Sequence, residues 1–193
     1  MDNALENISS FVDSRIREGF ESVHEIVENA TDYTLEILGR DDLSIEIKRI
    51  VAESLTAHLT EQNAWESSTD CDLIDRAFAS LNRQGIVARQ NFSCCNNCGF
   101  IEIWDEVERE EEQQPIEGYV FYNLQDTERV IETGQLLLAY GCIAEEEAAL
   151  ALVANKIVAE LQQVGLDAKW QGTDIHPIIV DGIVWRKHRE ICN

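Results

Sequence analysis

Cys94-Cys95-Asn96-Asn97-Cys98 places three of the chain's six cysteines within five positions. Thiols this close can share a metal ion, exchange a disulfide, or sit side by side as small apolar groups. Zinc takes thiolate and imidazole ligands, four of them in a structural site, and a C-x-x-C pair lets two sulfurs reach one ion from a tight turn. Cys95 and Cys98 form such a pair, and Gly99 follows as a turn residue. Cys94 and the distant Cys71 are the first candidates to complete a Zn2+ set of Cys71, Cys94, Cys95 and Cys98, with Cys142, His176 or the carboxylates of Asp70 and Asp72 as substitutes. Neighbours on an extended strand point opposite ways, so Cys94 and Cys95 can ligate together only if the chain turns there.

The redox reading makes Cys95 and Cys98 a dithiol, with Cys94 or Cys71 as resolving partner. A reactive thiol needs its thiolate stabilised, commonly by a helix N-terminus or a cation. Arg89 is the one basic residue near in sequence, and carboxylates oppose a thiolate. A thioredoxin-like arrangement also wants a βαβ frame, whereas the residues upstream read as helical. The plainest reading makes these cysteines small buried groups at a strand end, and Cys142 and Cys192 are assigned to that role.

Other chemistry is thin. The four histidines, His24, His58, His176 and His188, pair with no serine or cysteine in a nucleophile context. No H-E-x-x-H, glycine-rich phosphate loop or calcium loop occurs, so no catalytic constellation emerges. Gln125-Asp126-Thr127-Glu128 follows a strand, where Asp126 or Thr127 is expected to cap a helix. Tyr119, Phe121, Tyr122 and Tyr140 read as core and cross-strand residues.

The elements that must hold these residues follow from periodicity and caps. Leu5, Ile8, Val12 and Ile16 recur at helical spacing as far as Gly19. Ser22 and Glu25 form a capping box opening a segment that Gly39 stops. Asp41-Asp42-Leu43-Ser44 is a cap cluster before a stripe from Ile47 to Leu59. After a loop carrying Trp65, Thr69-Asp70-Cys71-Asp72 opens a helix with Leu73, Ile74, Ala77, Phe78 and Leu81 inward, closed by Gly85. The period then changes, giving strands over 86–92, 119–122, 135–140, 166–170 and 178–185. Between them lie helices over 101–113 and 125–133 and one after Gly141, with Glu145, Glu146 and Glu147 in its first turn. The last two strands make a hairpin around Gly172-Thr173-Asp174. The expected class is α+β: an N-terminal helical part (1–63), then an α+β domain (64–193) carrying the cysteines, with an antiparallel or mixed sheet of four to five strands and packed helices.

Charge narrows the partners. The 193 residues hold 15 Lys and Arg against 37 Asp and Glu, a formal charge of −22. Such a field repels phosphate backbones and anionic lipid, so neither nucleic acid nor membrane is an expected partner, while a basic protein is. No secretory leader shows at Met1-Asp2-Asn3-Ala4, and the reading is cytoplasmic, a compartment that keeps thiols reduced.

Longer strings carry a resemblance. Ala77-Phe78-Ala79-Ser80-Leu81, then Gly85-Ile86-Val87-Ala88-Arg89-Gln90-Asn91-Phe92 running into Cys94-Cys95 and Cys98-Gly99, is similar to a bacterial domain family of unknown function. So are Glu102-Ile103-Trp104-Asp105-Glu106, Gly118-Tyr119-Val120-Phe121-Tyr122 with Gln125-Asp126-Thr127-Glu128, Leu138-Ala139-Tyr140-Gly141 and Val184-Trp185-Arg186-Lys187. The resemblance covers nearly the whole chain, and it extends to Thr69-Asp70-Cys71-Asp72, which supports grouping Cys71 with Cys94, Cys95 and Cys98. It brings no activity, substrate or catalytic residue. The combined expectation is a binding or interaction protein with a structural zinc at the cluster, the alternative being a thiol-dependent redox protein or enzyme using Cys95 and Cys98.

Overall fold

A computed structural model describes residues 2–144, 147–172 and 176–189. Contacts divide the chain into two compact units, one formed by the residues up to Ser67 with the segment that begins at Arg186, the other Ser68–Trp185.

The first unit contains α1 (Asp2–Glu18), α2 (Val23–Leu38) and α3 (Ser44–Gln62). Apolar residues at helical spacing make its core: Ile8, Val12 and Ile16 from α1, Ile26 and Ala30 from α2, Ile47, Ile50 and Val51 from α3. The expected Ser22–Glu25 capping box is present, and Gly39 closes α2 in the left-handed conformation, φ 64°. The cap cluster before α3 behaves differently. Leu43 occupies the N-cap and, having no side-chain acceptor, caps nothing; its side chain packs in the core, and Asp42 pairs with Arg40 at 2.6 Å.

The segment that begins at Arg186 belongs to this unit, and its Lys187 and Arg189 are engaged within it. Arg189 donates from Nη1 to the carbonyl of Ile16 at 3.1 Å, in the last turn of α1, and from Nη2 to that of Glu21 in the connection to α2. Gln62 at the end of α3 exchanges hydrogen bonds with the Arg189 backbone at 2.8 and 3.1 Å. Lys187 lies over the Phe20 ring at 4.8 Å. A cation on orphan helix carbonyls is favourable both as a donor and against the helix dipole.

The second unit runs α4 (Asp70–Arg83), β1 (Ile86–Arg89), α5 (Asn96–Glu111), β2 (Gly118–Phe121), α6 (Leu124–Thr133), β3 (Leu136–Cys142), α7 (Glu147–Gln163), β4 (Asp167–Lys169) and β5 (Ile178–Asp181). Among the described residues the chain therefore has seven helices and five strands. They form one mixed sheet in the order β1-β2-β3-β5-β4, with β1 and β2 parallel and the other pairs antiparallel. The α+β class follows. β4 and β5 are the expected hairpin, although its turn at Thr173 and Asp174, like Glu145, Glu146 and Cys192, lies outside the described residues.

Contacts on the two faces of the sheet assign the helices to their sides. Val87, Tyr119, Phe121 and Ala139 form one cluster with Ile103 and Val107 of α5. The opposite face meets α4 through Phe78 against Tyr122, ring centroids 5.8 Å apart, and α7 through Val153 against Gly118. Two elements depart from the sequence expectation. The first strand ends at Arg89 rather than residue 92, because Asn91 and Ser93 take positive φ, 48° and 66°. The following helix begins at Asn96 rather than 101, so the cysteine turn is its first turn.

Candidate metal and thiol site

The cysteines sit where two turns are pinned together. Left-handed Asn91 and Ser93 swing the chain out of β1, and hydrogen bonds hold the swing. Phe92 N–H donates to the Tyr122 carbonyl at 2.8 Å, and Leu124 N–H, opening α6, donates to the Ser93 carbonyl at 3.2 Å. The Thr127 hydroxyl donates to Asn91 Oδ1 at 2.8 Å. Asn123 Nδ2 donates to Asn96 Oδ1 at 2.9 Å, tying the N-terminus of α6 to that of α5.

Cys95 is extended, φ −159° and ψ 170°, and occupies the N-cap of α5; Gly99 N–H donates to its carbonyl at 2.9 Å. Cys98 is then the third residue of the helix. The turn brings the sulfurs of Cys94, Cys95 and Cys98 within 4.8 Å of one another, Cys94 exposed and the other two half-buried. This is the bend that ligation by neighbouring cysteines requires. Gly99 is a packing residue rather than a turn residue: a Cβ there would lie 2.5 Å from the Phe121 ring, so only glycine lets α5 approach the sheet this closely.

The thiols differ in acidity. Cys95 has no side-chain capping hydrogen bond by strict geometry. Its sulfur is nonetheless close enough to the Cys98 N–H for that amide, followed by the Cys98 and Cys94 thiols, to lower its pKa. Cys98 is pushed up to about 11, first by Cys94 and then by Cys95. A helix N-terminus favours a thiolate through its free N–H groups and dipole, and at Cys95 these bonds outweigh the opposing effect of burial.

Cys71 is not part of the group. It is buried at 2% exposure in α4, where, after burial itself, it helps push the Tyr122 phenol up. The sulfurs that lie within 4.8 Å of one another are those of Cys94, Cys95 and Cys98. Cys142 is half-buried at the end of β3, its thiol donating to the Ala144 carbonyl at 3.0 Å. His176 and Asp70 stand apart from the sulfurs; Asp70 accepts the Val184 N–H at 2.8 Å.

Arg89 positions the helix rather than the thiolate. Its guanidinium donates to Glu106 at 2.8 Å, to Glu110 at 2.8 Å and to Asn82 Oδ1 at 3.0 Å, lashing α5 to β1 and α4. Burial opposes ionisation of Glu106, but the bonds from Arg89 and Arg109 prevail and hold it below the usual carboxylate range. The sequence reading missed the role of Asn123. Its side chain accepts from Gln125 N–H at 2.8 Å and Asp126 N–H at 3.2 Å, so Asn123 caps α6 and Asp126 is the reciprocal partner rather than the cap. The signal was present, a capping residue three positions before an acidic one directly after a strand.

Fold and site together define an α+β domain with a three-thiol group, one able to hold a metal, at the start of the crossover helix of a βαβ unit. The chain belongs to the family described as a domain of unknown function, DUF6891, which matches residues 1–189. Comparison with curated proteins and with solved structures finds no match. No helix of the described residues is long and apolar enough to cross a membrane.

Proposed function

We propose that the protein is a metal-binding protein in which Cys94, Cys95 and Cys98 hold one Zn2+ through three thiolates. The observation that carries this reading is the approach of the three sulfurs to within 4.8 Å of one another. An all-thiolate set is soft and suits zinc, and the positive end of α5 favours the negative charge it gathers. Three protein ligands leave a fourth position for water or for a group brought by a partner, and the −22 charge favours a basic protein as that partner. Protein purified under reducing conditions is expected to carry about one zinc per chain by elemental analysis. Co2+ in its place is expected to show thiolate-to-metal charge-transfer absorption, lost in Cys95→Ser and Cys98→Ser and kept in Cys71→Ser. Protein that binds neither ion refutes the proposal.

A redox reading has its own support: Cys95-x-x-Cys98 opens the helix that joins parallel β1 and β2, with the first thiol acidified and the second suppressed. That pattern is the thioredoxin-like disposition of an attacking and a buffered thiol. It requires a reversible disulfide between Cys95 and Cys98 and fast alkylation of Cys95 in the reduced protein. Slow alkylation that chelators accelerate supports metal instead.

A further inference from the structure

The Ser68–Trp185 unit carries a cavity of about 260 Å³, lined in part by Asn96, Phe100, Asp126, Ala139, His176 and Pro177 and, among the described residues, by no cysteine. It follows from uneven cover of the sheet. α5 packs over β1 and β2, while on β3 and β5 the same face presents the half-buried side chains of Leu137, Ala139 and Ile179.

The lining is chemically lopsided. Asp126 is 6% exposed. Asn123 N–H donates to its Oδ2 at 3.2 Å, and among the described residues no cation forms an ion pair with it. Burial raises its pKa, an effect that the Asn123 N–H and the charge of Arg129 only partly offset. Phe100, 41% exposed, adds an aromatic surface, and Asn96 adds an amide already oriented by Asn123.

We infer that this cavity binds a small organic cation, an amine or guanidinium compound no larger than an amino acid, with its charged nitrogen on Asp126 and its apolar part against Phe100, Ala139 and Pro177. A charged N–H donor on a desolvated carboxylate makes a strong, short hydrogen bond, and an aromatic neighbour adds cation–π attraction. The net charge of −22 concentrates cations and repels anions at the surface. The volume lies just below the range of about 300–1,000 Å³ for ligand cavities, which sets the size limit. This inference goes beyond the metal site and does not depend on it.

The test is calorimetric titration of the full reduced chain with n-butylamine and n-butylguanidine, with n-butanol and butyrate as neutral and anionic counterparts. The two cations are expected to bind saturably, and butanol and butyrate are not. Asp126→Asn keeps an oxygen to accept the Asn123 N–H, so α6 retains its cap, and it is expected to weaken cation binding about tenfold or more. Ala139→Leu fills the cavity without touching the carboxylate and is expected to abolish binding; it decides the matter should Asp126→Asn not fold. No saturable cation binding, equal binding to both variants and the natural chain, or tighter binding of butyrate would each overturn the inference.

Discussion

Replacing Gly99 with alanine sets two effects of opposite sign against each other at the point where α5 meets the sheet. Gly→Ala inside a helix ordinarily stabilises by about 1 kcal/mol, because alanine loses less backbone freedom on folding. Here the added Cβ would sit 2.5 Å from Phe121 Cε2 and 2.8 Å from Cζ. Carbon atoms pack at about 3.5–4.0 Å, so the ring or the helix must retreat by about 1 Å. The ring has no room: Phe121 is fully buried, with the rings of Phe92 and Phe100 at 5.8 and 5.3 Å between centroids. Overpacking of this kind costs about 1–3 kcal/mol, which leaves Gly99→Ala destabilising by about 0–2 kcal/mol after the propensity gain. The retreat also displaces the turn on which the three sulfurs converge, so Co2+ affinity is expected to fall with stability. Urea denaturation of the reduced chain followed by tryptophan fluorescence measures the first effect as a lower midpoint at unchanged slope. Phe121→Leu, which vacates the ring's space, is expected to reverse the sign of the alanine substitution. A Gly99→Ala protein more stable than its parent by about 1 kcal/mol would refute the close approach of α5 to β2.

Arg89→Met removes four hydrogen bonds made by a side chain 22% exposed, two of them to carboxylates of α5. The unit is expected to lose about 2–3 kcal/mol by urea titration, and a change under about 0.5 kcal/mol would show these to be ordinary surface pairs. His58 is buried, and its Nε2 is the one buried side-chain nitrogen or oxygen among the described residues without a hydrogen-bond partner. Burial first, then the charge of Arg189, depresses its pKa from 6.5. The unfolded chain therefore binds the proton more readily, so the stability tied to neutral His58 is complete above pH 6.5 and is lost as pH falls below it. His58→Leu is expected to flatten the decline in urea midpoint between about pH 7.5 and about pH 5.5, and an identical decline in both proteins would exclude this role.

The family match leaves activity unassigned, so the weight of any functional argument rests on local chemistry. The two proposed sites share a scaffold without sharing residues. Asn123 orients Asn96, the residue after Cys95, with its side chain, while its backbone N–H holds Asp126. One capping residue of α6 thus positions both the first turn of α5 and the carboxylate of the cavity. Asn123→Ala would disturb both at once and separate neither, which is why the variants above act on Cys95, Cys98, Asp126 and Ala139 singly.

Local sequence determined what local energetics control. Stripes such as Ile74, Ala77, Phe78 and Leu81, and caps at Ser22 and Thr69, specify helices without help from distant residues, and they appear where the pattern put them. The density of cysteines at 94–98 likewise marked the site. Tertiary structure decided how those pieces meet. Ile86-Val87-Ala88 and Tyr119-Val120-Phe121 are apolar at every position and buried on both faces, so their alternation says nothing about which helix covers which side. Cys71 is grouped with the cluster through the resemblance of Thr69-Asp70-Cys71-Asp72, and its sulfur is not among the three that converge. The early start of α5 was hidden for a related reason: Asn96, Asn97 and Gly99 are poor helix formers, and they are helical because bonds from α6 and contact with Phe121 hold them there. Propensity is a property of neighbours along the chain. Convergence of side chains depends on neighbours in space, and at this site those come from β2 and α6, more than twenty residues away.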